Sequence, residues 1–148
     1  MTPTTTEIRD SFHRHDLRCT RQRELVFGAL AASTAHPTAE ELYLAVRAQD
    51  PGLSLATVYN TLEAIVSCGM GRKISTAGSG PCRYDADISP HVHLATGDGR
   101  VVDVPDDLSA RLLAGLCPKV VHELEQRLGV SVSWLNLQVV VQGPERVR

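Results

Sequence analysis

Apolar residues recur every three or four positions through the first seventy residues, a period that predicts helices. "TTTEIRDSFHRHD" gives a first amphipathic helix through Ile8 and Phe12. "TRQRELVFGALAAS" gives a second, with Thr20 as N-cap, Glu24 in its first turns and Leu25, Val26 and Leu30 on its apolar side. In "HPTAEELYLAVRAQD", Thr38 and Glu41 form a capping box ahead of Leu42, Tyr43 and Val46. Pro51 and Gly52 stop the chain, and Ser54 restarts it. The fourth helix, "SLATVYNTLEAIVSCG", places Leu55, Val58, Leu62, Ile65 and Val66 on one seam. Its opposite face carries Ala56, Tyr59, Asn60 and Glu63, and Gly69 and Gly71 close it.

The period then changes. "RKISTAGSGPCRYD" reads as a hairpin around "GSGP", and "HVHLA" and "GRVVDV" read as strands. "PDDLSARLLAGLCPKVVHELEQRLG" is helical with a break at Pro118, and a β-rich "VSVSWLNLQVVVQG" precedes a frayed "PERVR". Three helices, a turn-separated fourth and a hairpin make a winged helix-turn-helix, its fourth helix free to enter a major groove. Strand, strand, helix, strand is an α+β unit too small to bury its apolar face alone. The row Val139, Val140 and Val141 predicts burial on both faces, and hence dimerisation. The expected fold is α+β: a winged-helix DNA-binding domain over 1–84, a hinge over 85–90 and an α/β dimerisation domain over 91–148.

Composition agrees with a soluble globular chain: 148 residues, 43% apolar and 22% charged. No apolar run approaches the ~18–20 residues of a membrane span, and "MTPTTTEIRD" lacks a signal-peptide core, so a cytoplasmic protein is expected. Net charge is −2, but Arg9, Arg14, Arg18, Arg21 and Arg23 lie in one short stretch able to meet phosphates. Cys19, Cys68, Cys82 and Cys117 form no CxxC pair and are expected to pack as small apolar residues.

Candidate chemistry centres on "PHVHLATGDGRVVD". Side chains two apart on a strand point the same way, so His91 and His93 can share an ion. Asp85, Asp103 and His36 are further candidate ligands, and together the five make a nitrogen and oxygen set suited to Fe²⁺, Mn²⁺ or Zn²⁺. Spacing leaves open whether they converge. A rival reading takes His91, His93 and Asp98 as the facial triad of a cupin-like metalloenzyme, which needs many strands where this chain has helices. A metal-free dimeric DNA-binding protein is the plainer alternative.

"LRCTRQRELVFGAL", "HPTAEELY", "SLATVYNTLEAIVSCG", "RYD", "HVH" and "VVD" occur in an order that resembles the ferric uptake regulator (Fur) family across roughly residues 10–143. The resemblance implies a metal-dependent transcriptional repressor: a homodimer on a pseudo-palindromic operator in double-stranded DNA, neither an enzyme nor a membrane protein. It implies one regulatory divalent metal per subunit at His36, Asp85, His91, His93 and Asp103, with Fe²⁺ or Mn²⁺ in function and Zn²⁺ as a form obtained on purification. Aspartate at both carboxylate positions, and Asn60 after Tyr59, are similar to the peroxide-sensing PerR-like branch. In that branch the oxidation-sensitive residues would be His36 and His91. An iron- or manganese-responsive repressor of Fur or Mur type is the alternative. Tyr59, Asn60 and Thr57 would face the groove, and Arg18, Arg21 and Arg23 the phosphates. The family's structural four-cysteine zinc is not expected, because "ATGDG" and "VVVQGPERVR" stand where its CxxC pairs would be. His13, His15 and His122 match no ligand position.

Overall fold

A computed structural model describes residues 2–76, 78 and 80–141. The first half folds as its period predicts. Helices α1 (Thr5–Arg14), α2 (Arg21–Ala31), α3 (Ala39–Val46) and α4 (Leu55–Ser67) are followed by strands β1 (Arg72–Ile74) and β2 (Arg83–Asp85). Thr4, Thr20, Thr38 and Ser54 each cap the helix that follows, taking a backbone N–H otherwise left without a partner. Both Thr4 with Glu7 and Thr38 with Glu41 form complete capping boxes. Gly69 ends α4 at φ +81, a conformation that costs a residue without a Cβ little.

Two packed clusters hold this half together. Val26, Leu30, Leu42, Val46, Leu53, Val58, Leu62 and Tyr84 join α2, α3, α4 and β2. Ile8, Phe12, Phe27, Ile65 and Met70 pin α1 against α2 and α4, with the rings of Phe12 and Phe27 edge to face at 5.6 Å. Antiparallel β1 and β2 pair Arg72 with Asp85 and Ile74 with Arg83, forming the wing. The turn between them includes Ala77 and Ser79, which lie outside the described residues, as does the tail "PERVR".

The second half contains β3 (Val92–Ala95), β4 (Val101–Asp103), α5 (Asp106–Ala114), α6 (Pro118–Leu128) and β5 (Leu137–Val140). Its sheet has the order β4-β3-β5, antiparallel on one side of β3 and parallel on the other. Ser109 of α5 accepts the Val92 backbone N–H at 2.7 Å, tying helix to sheet. Ile74, Ala95 and Val101 form a third cluster that joins the wing to this sheet.

Two expectations change. The β-rich C-terminal stretch yields only the four residues of β5, because β3 is the one strand in the described chain beside it. Val139 and Val140 are 38% and 49% exposed at the sheet edge of the single chain, which leaves the expected burial on both faces to a second copy. Cys19 and Cys117 are exposed rather than packed, being at a loop and at the N-cap of α6, while Cys68 and Cys82 are half-buried. His13 and His122 lie on the surface, and His15 caps α1 through Nδ1 on the Ser11 carbonyl at 2.9 Å.

Candidate metal centre

The wing and the second sheet bring three histidines and two aspartates to one place. Asp85 is the last residue of β2. His91 immediately precedes β3 and His93 lies within it, opposite Asp103 of β4, so the pleat turns these side chains to one face. His36 comes from the loop ahead of α3 and reaches the same point from the helical half.

Asp85 Oδ2 lies 3.1 Å from His91 Nε2, 3.4 Å from His93 Nε2 and 3.6 Å from His36 Nε2. Asp103 Oδ1 lies 3.1, 3.3 and 3.7 Å from His36, His91 and His93 Nε2 respectively. The Nε2 atoms of His91 and His93 are 2.8 Å apart. Neighbouring ligands around one ion, with bonds of ~2.0–2.2 Å, sit at separations on the order of 3 Å. Among the described residues, the donor atoms of His36, Asp85, His91 and His93 lie within 4.8 Å of one another.

The outer hydrogen bonds show what this space suits. His36 Nδ1 faces the Val101 carbonyl at 3.2 Å, and His91 Nδ1 faces the Ser89 carbonyl at 2.9 Å. A carbonyl accepts, so both Nδ1 atoms carry the proton and both Nε2 lone pairs turn inward. Lone pairs facing carboxylate oxygens repel unless a cation lies among them or the rings take second protons. The donor set therefore fits a divalent ion.

Electrostatics agree. Burial pulls the His36 pKa down, but the Asp85 hydrogen bond and the charges of Asp103 and Asp85 outweigh it and leave the pKa raised. Burial alone would raise Asp85, yet hydrogen bonds from His36, His93 and the Asp87 N–H hold its carboxyl well below the usual range. The His93 Nδ1 is buried with no hydrogen-bond partner among the described residues. Asp98 belongs elsewhere: its carboxylate meets the Thr96 hydroxyl and Arg100, at 2.6 Å from Arg100 Nε, in the β3–β4 turn. The cupin-like triad is therefore not assembled.

The groove-facing candidates lie on α4. Tyr59 and Asn60 are exposed on the side away from the core. The Tyr59 hydroxyl donates to Glu40 Oε1 at 2.6 Å, and Thr57 is occupied with the Ser54 cap. Arg18 and Arg21 line an open groove of about 790 Å³ together with Arg9 and His13. Arg23 is turned back to the Arg18 carbonyl at 2.8 Å.

The Ferric uptake regulator family model matches residues 14–126. The chain belongs to the Fur family. Members of this family are transcriptional regulators, not enzymes; they respond to metals such as manganese or iron, bind DNA and are dimeric. The peroxide operon regulator of Bacillus subtilis (strain 168) is 34% identical over 98 residues, which are 66% of this chain and 67% of that protein. The stretch matched in curated relatives is about two thirds of their length. A manganese-containing ferric uptake regulator from Pseudomonas aeruginosa superposes with a TM-score of 0.68 at 24% identity, covering 93% of this chain and 98% of that one. The Campylobacter jejuni peroxide stress regulator gives 0.64 at 22% identity, covering 97% and 98%. Both show the same two-part fold. Among the described residues of this Fur-family chain, no helix is long and apolar enough to cross a membrane.

Sequence reasoning passed over the residues behind the ligands. Arg72 holds the Ile88 and Ser89 carbonyls, the second of which orients His91, and stacks on Trp134 at 5.2 Å. Arg83 reaches the backbone of His36 itself. Nothing in the spacing named either arginine or its partners.

Proposed function

We propose that this Fur-family chain is a repressor whose grip on DNA is switched by one divalent ion per subunit, held by His36, Asp85, His91, His93 and Asp103. The inward-turned lone pairs of His36 and His91 against two carboxylates carry this reading. His36 and Asp85 belong to the winged-helix domain (1–84) or its border with the hinge (85–90), and the other three belong to the dimerisation domain (91–148). An ion bound by both groups favours the arrangement in which α4 is presented to DNA, and its removal releases that arrangement. Tyr59, Asn60 and Thr57 face the groove of a pseudo-palindromic operator. Arg18, Arg21 and Arg23 contact phosphates and position the homodimer. The setting is the cytoplasm.

The test uses a duplex selected from random sequence in the presence of Mn²⁺. Binding is expected to be lost with a chelator and restored by Mn²⁺, and His36→Ala is expected to abolish the restoration. Chelator-independent binding would leave a metal-free DNA-binding protein.

Within the family, the peroxide-sensing reading rests on the two aspartates, on Asn60, and on the 34% identity to a peroxide operon regulator. Bound Fe²⁺ supplies the peroxide chemistry, and His36 and His91 are the rings exposed to it. Mass spectrometry after Fe²⁺ and peroxide is expected to find an added oxygen on His36 or His91. An unmodified pair with intact metal response would favour the iron- or manganese-sensing alternative.

A further inference from the structure

Arg83 joins both halves of the molecule through backbone carbonyls, without offering a ligand atom to the metal site. Its Nε donates to the Gly99 carbonyl in the β3–β4 turn at 2.7 Å. Its Nη1 donates to the His36 carbonyl at 2.9 Å and meets Glu41 Oε2 at 3.1 Å. The side chain is only 13% exposed, so these contacts are partly shielded from competing water.

The segment it holds needs holding. His36 has a φ of +47, in the left-handed region that disfavours a residue with a Cβ. Such a conformation persists where the surroundings over-determine it. Three bonds do so here. Arg83 takes the His36 carbonyl, the Tyr84 N–H donates to the Pro37 carbonyl at 3.0 Å, and the Glu41 carboxylate takes the Thr38 N–H at 2.8 Å while also pairing with Arg83. The strand end at 83–84 thus grips the loop at 36–38 by its backbone, and the same guanidinium anchors the turn that joins β3 to β4. One planar fork fixes the His36 loop relative to the sheet that carries His91, His93 and Asp103.

We propose that Arg83 is a positioning residue that assembles the metal site before metal arrives, by fixing His36 against the β3–β4 sheet. The proposal rests on the reading of His36 as a ligand. It assigns the arrangement that presents α4 to DNA two independent supports: the ion, and a guanidinium bridge present without it. The turn bridged by Arg83, "ATGDG", is tied to the winged helix through this guanidinium.

Mn²⁺ titrations of the full chain test this through a double-mutant cycle. Arg83→Gln is expected to weaken Mn²⁺ binding by about 10–100-fold, the range for loss of an outer-layer partner of a ligand. In a His36→Ala background the same change is expected to alter affinity less than about twofold, since the ligand through which it acts is gone. Arg83→Lys keeps the charge beside Glu41 but one ammonium does not reproduce the fork to two carbonyls, so it is expected to remain weakened. Wild-type affinity in either Arg83 variant overturns the proposal. So does an equal loss with and without His36, which marks general destabilisation. If Arg83→Gln does not fold, Arg83→Lys decides alone. Failure of the underlying reading looks different: the unmodified chain binds no Mn²⁺, or His36→Ala binds it as tightly as the unmodified chain.

Discussion

His36 and the proton compete for the same nitrogen. Its pKa is raised above the ordinary 6.5, chiefly because Asp85 and Asp103 outweigh the opposing effect of burial. In the metal-free protein the charged ring therefore stabilises the fold fully below that ordinary value, and the contribution is lost as pH rises through the raised one. Metal binding runs the other way, since a ligand nitrogen must shed its proton. Mn²⁺ affinity is expected to fall steadily as titrations move from about pH 8 to about pH 6, the range in which histidine titrates. A flat profile would remove His36 from the equilibrium. The two aspartates also differ. Asp85 is buried and takes the Asp87 N–H at 2.8 Å as well as facing the rings, whereas Asp103 is half exposed. Asp85→Ala is expected to cost the metal-free fold about 1–3 kcal/mol in urea unfolding, the range for a buried group left unpaired. Asp103→Ala is expected to cost much less. At this scale the HxH pair was legible from strand geometry. The approach of His36 and Asp85 was not, because it depends on how two halves dock.

Helices were the legible elements. Each of the first four has a side-chain oxygen at its start and an apolar stripe at helical spacing, so caps and period agree on the same boundaries. Strands of three or four residues carry too little alternation to fix their length, and β5 falls short because pairing, not propensity, decides where a strand ends. Two elements govern the site from a distance. Thr38 caps the helix that follows His36, and Thr38→Ala is expected to cost about 1 kcal/mol in thermal or urea unfolding. Gly71 lets β1 pass the end of β2: a Cβ there would lie 2.9 Å from the Asp85 carbonyl oxygen and 3.0 Å from Ile65. Both obstacles sit in packed structure, so Gly71→Ala is expected to shift Asp85 and weaken Mn²⁺ binding. An unchanged affinity with unchanged stability would show that the wing absorbs the extra methyl group.

Among the described residues, the second half leaves two apolar surfaces uncovered, and their location points to what covers them. Leu94, Val102, Val104, Leu108, Leu112 and Val139 line an open groove of about 860 Å³ between α5 and the sheet. Helix α6 buries none of its own residues, and Val120, Leu124 and Leu128 stand exposed along it. A helix is stable chiefly through the face it packs, so α6 requires a surface that the described residues do not provide. The winged helix has two full clusters of its own, and most of the exposed large apolar side chains among the described residues lie in the second half. In a family of dimeric regulators, a second copy is the occupant these surfaces fit. Each leucine or valine covered is worth roughly 1.5–3 kcal/mol, while a charge placed there must be desolvated on association. Leu112→Asp and Val139→Asp are each expected to shift the protein toward monomer in sedimentation velocity, with little change in the helical circular dichroism of the first half. If each winged helix reads one half-site as proposed, operator affinity should fall with the dimer, because a lone winged helix loses the effective concentration of its tethered twin. Mn²⁺ affinity should change far less, since all five proposed ligands come from one subunit. A monomer that keeps full operator affinity would overturn the dimer reading, and a monomer that loses its metal would place part of the site across the two copies.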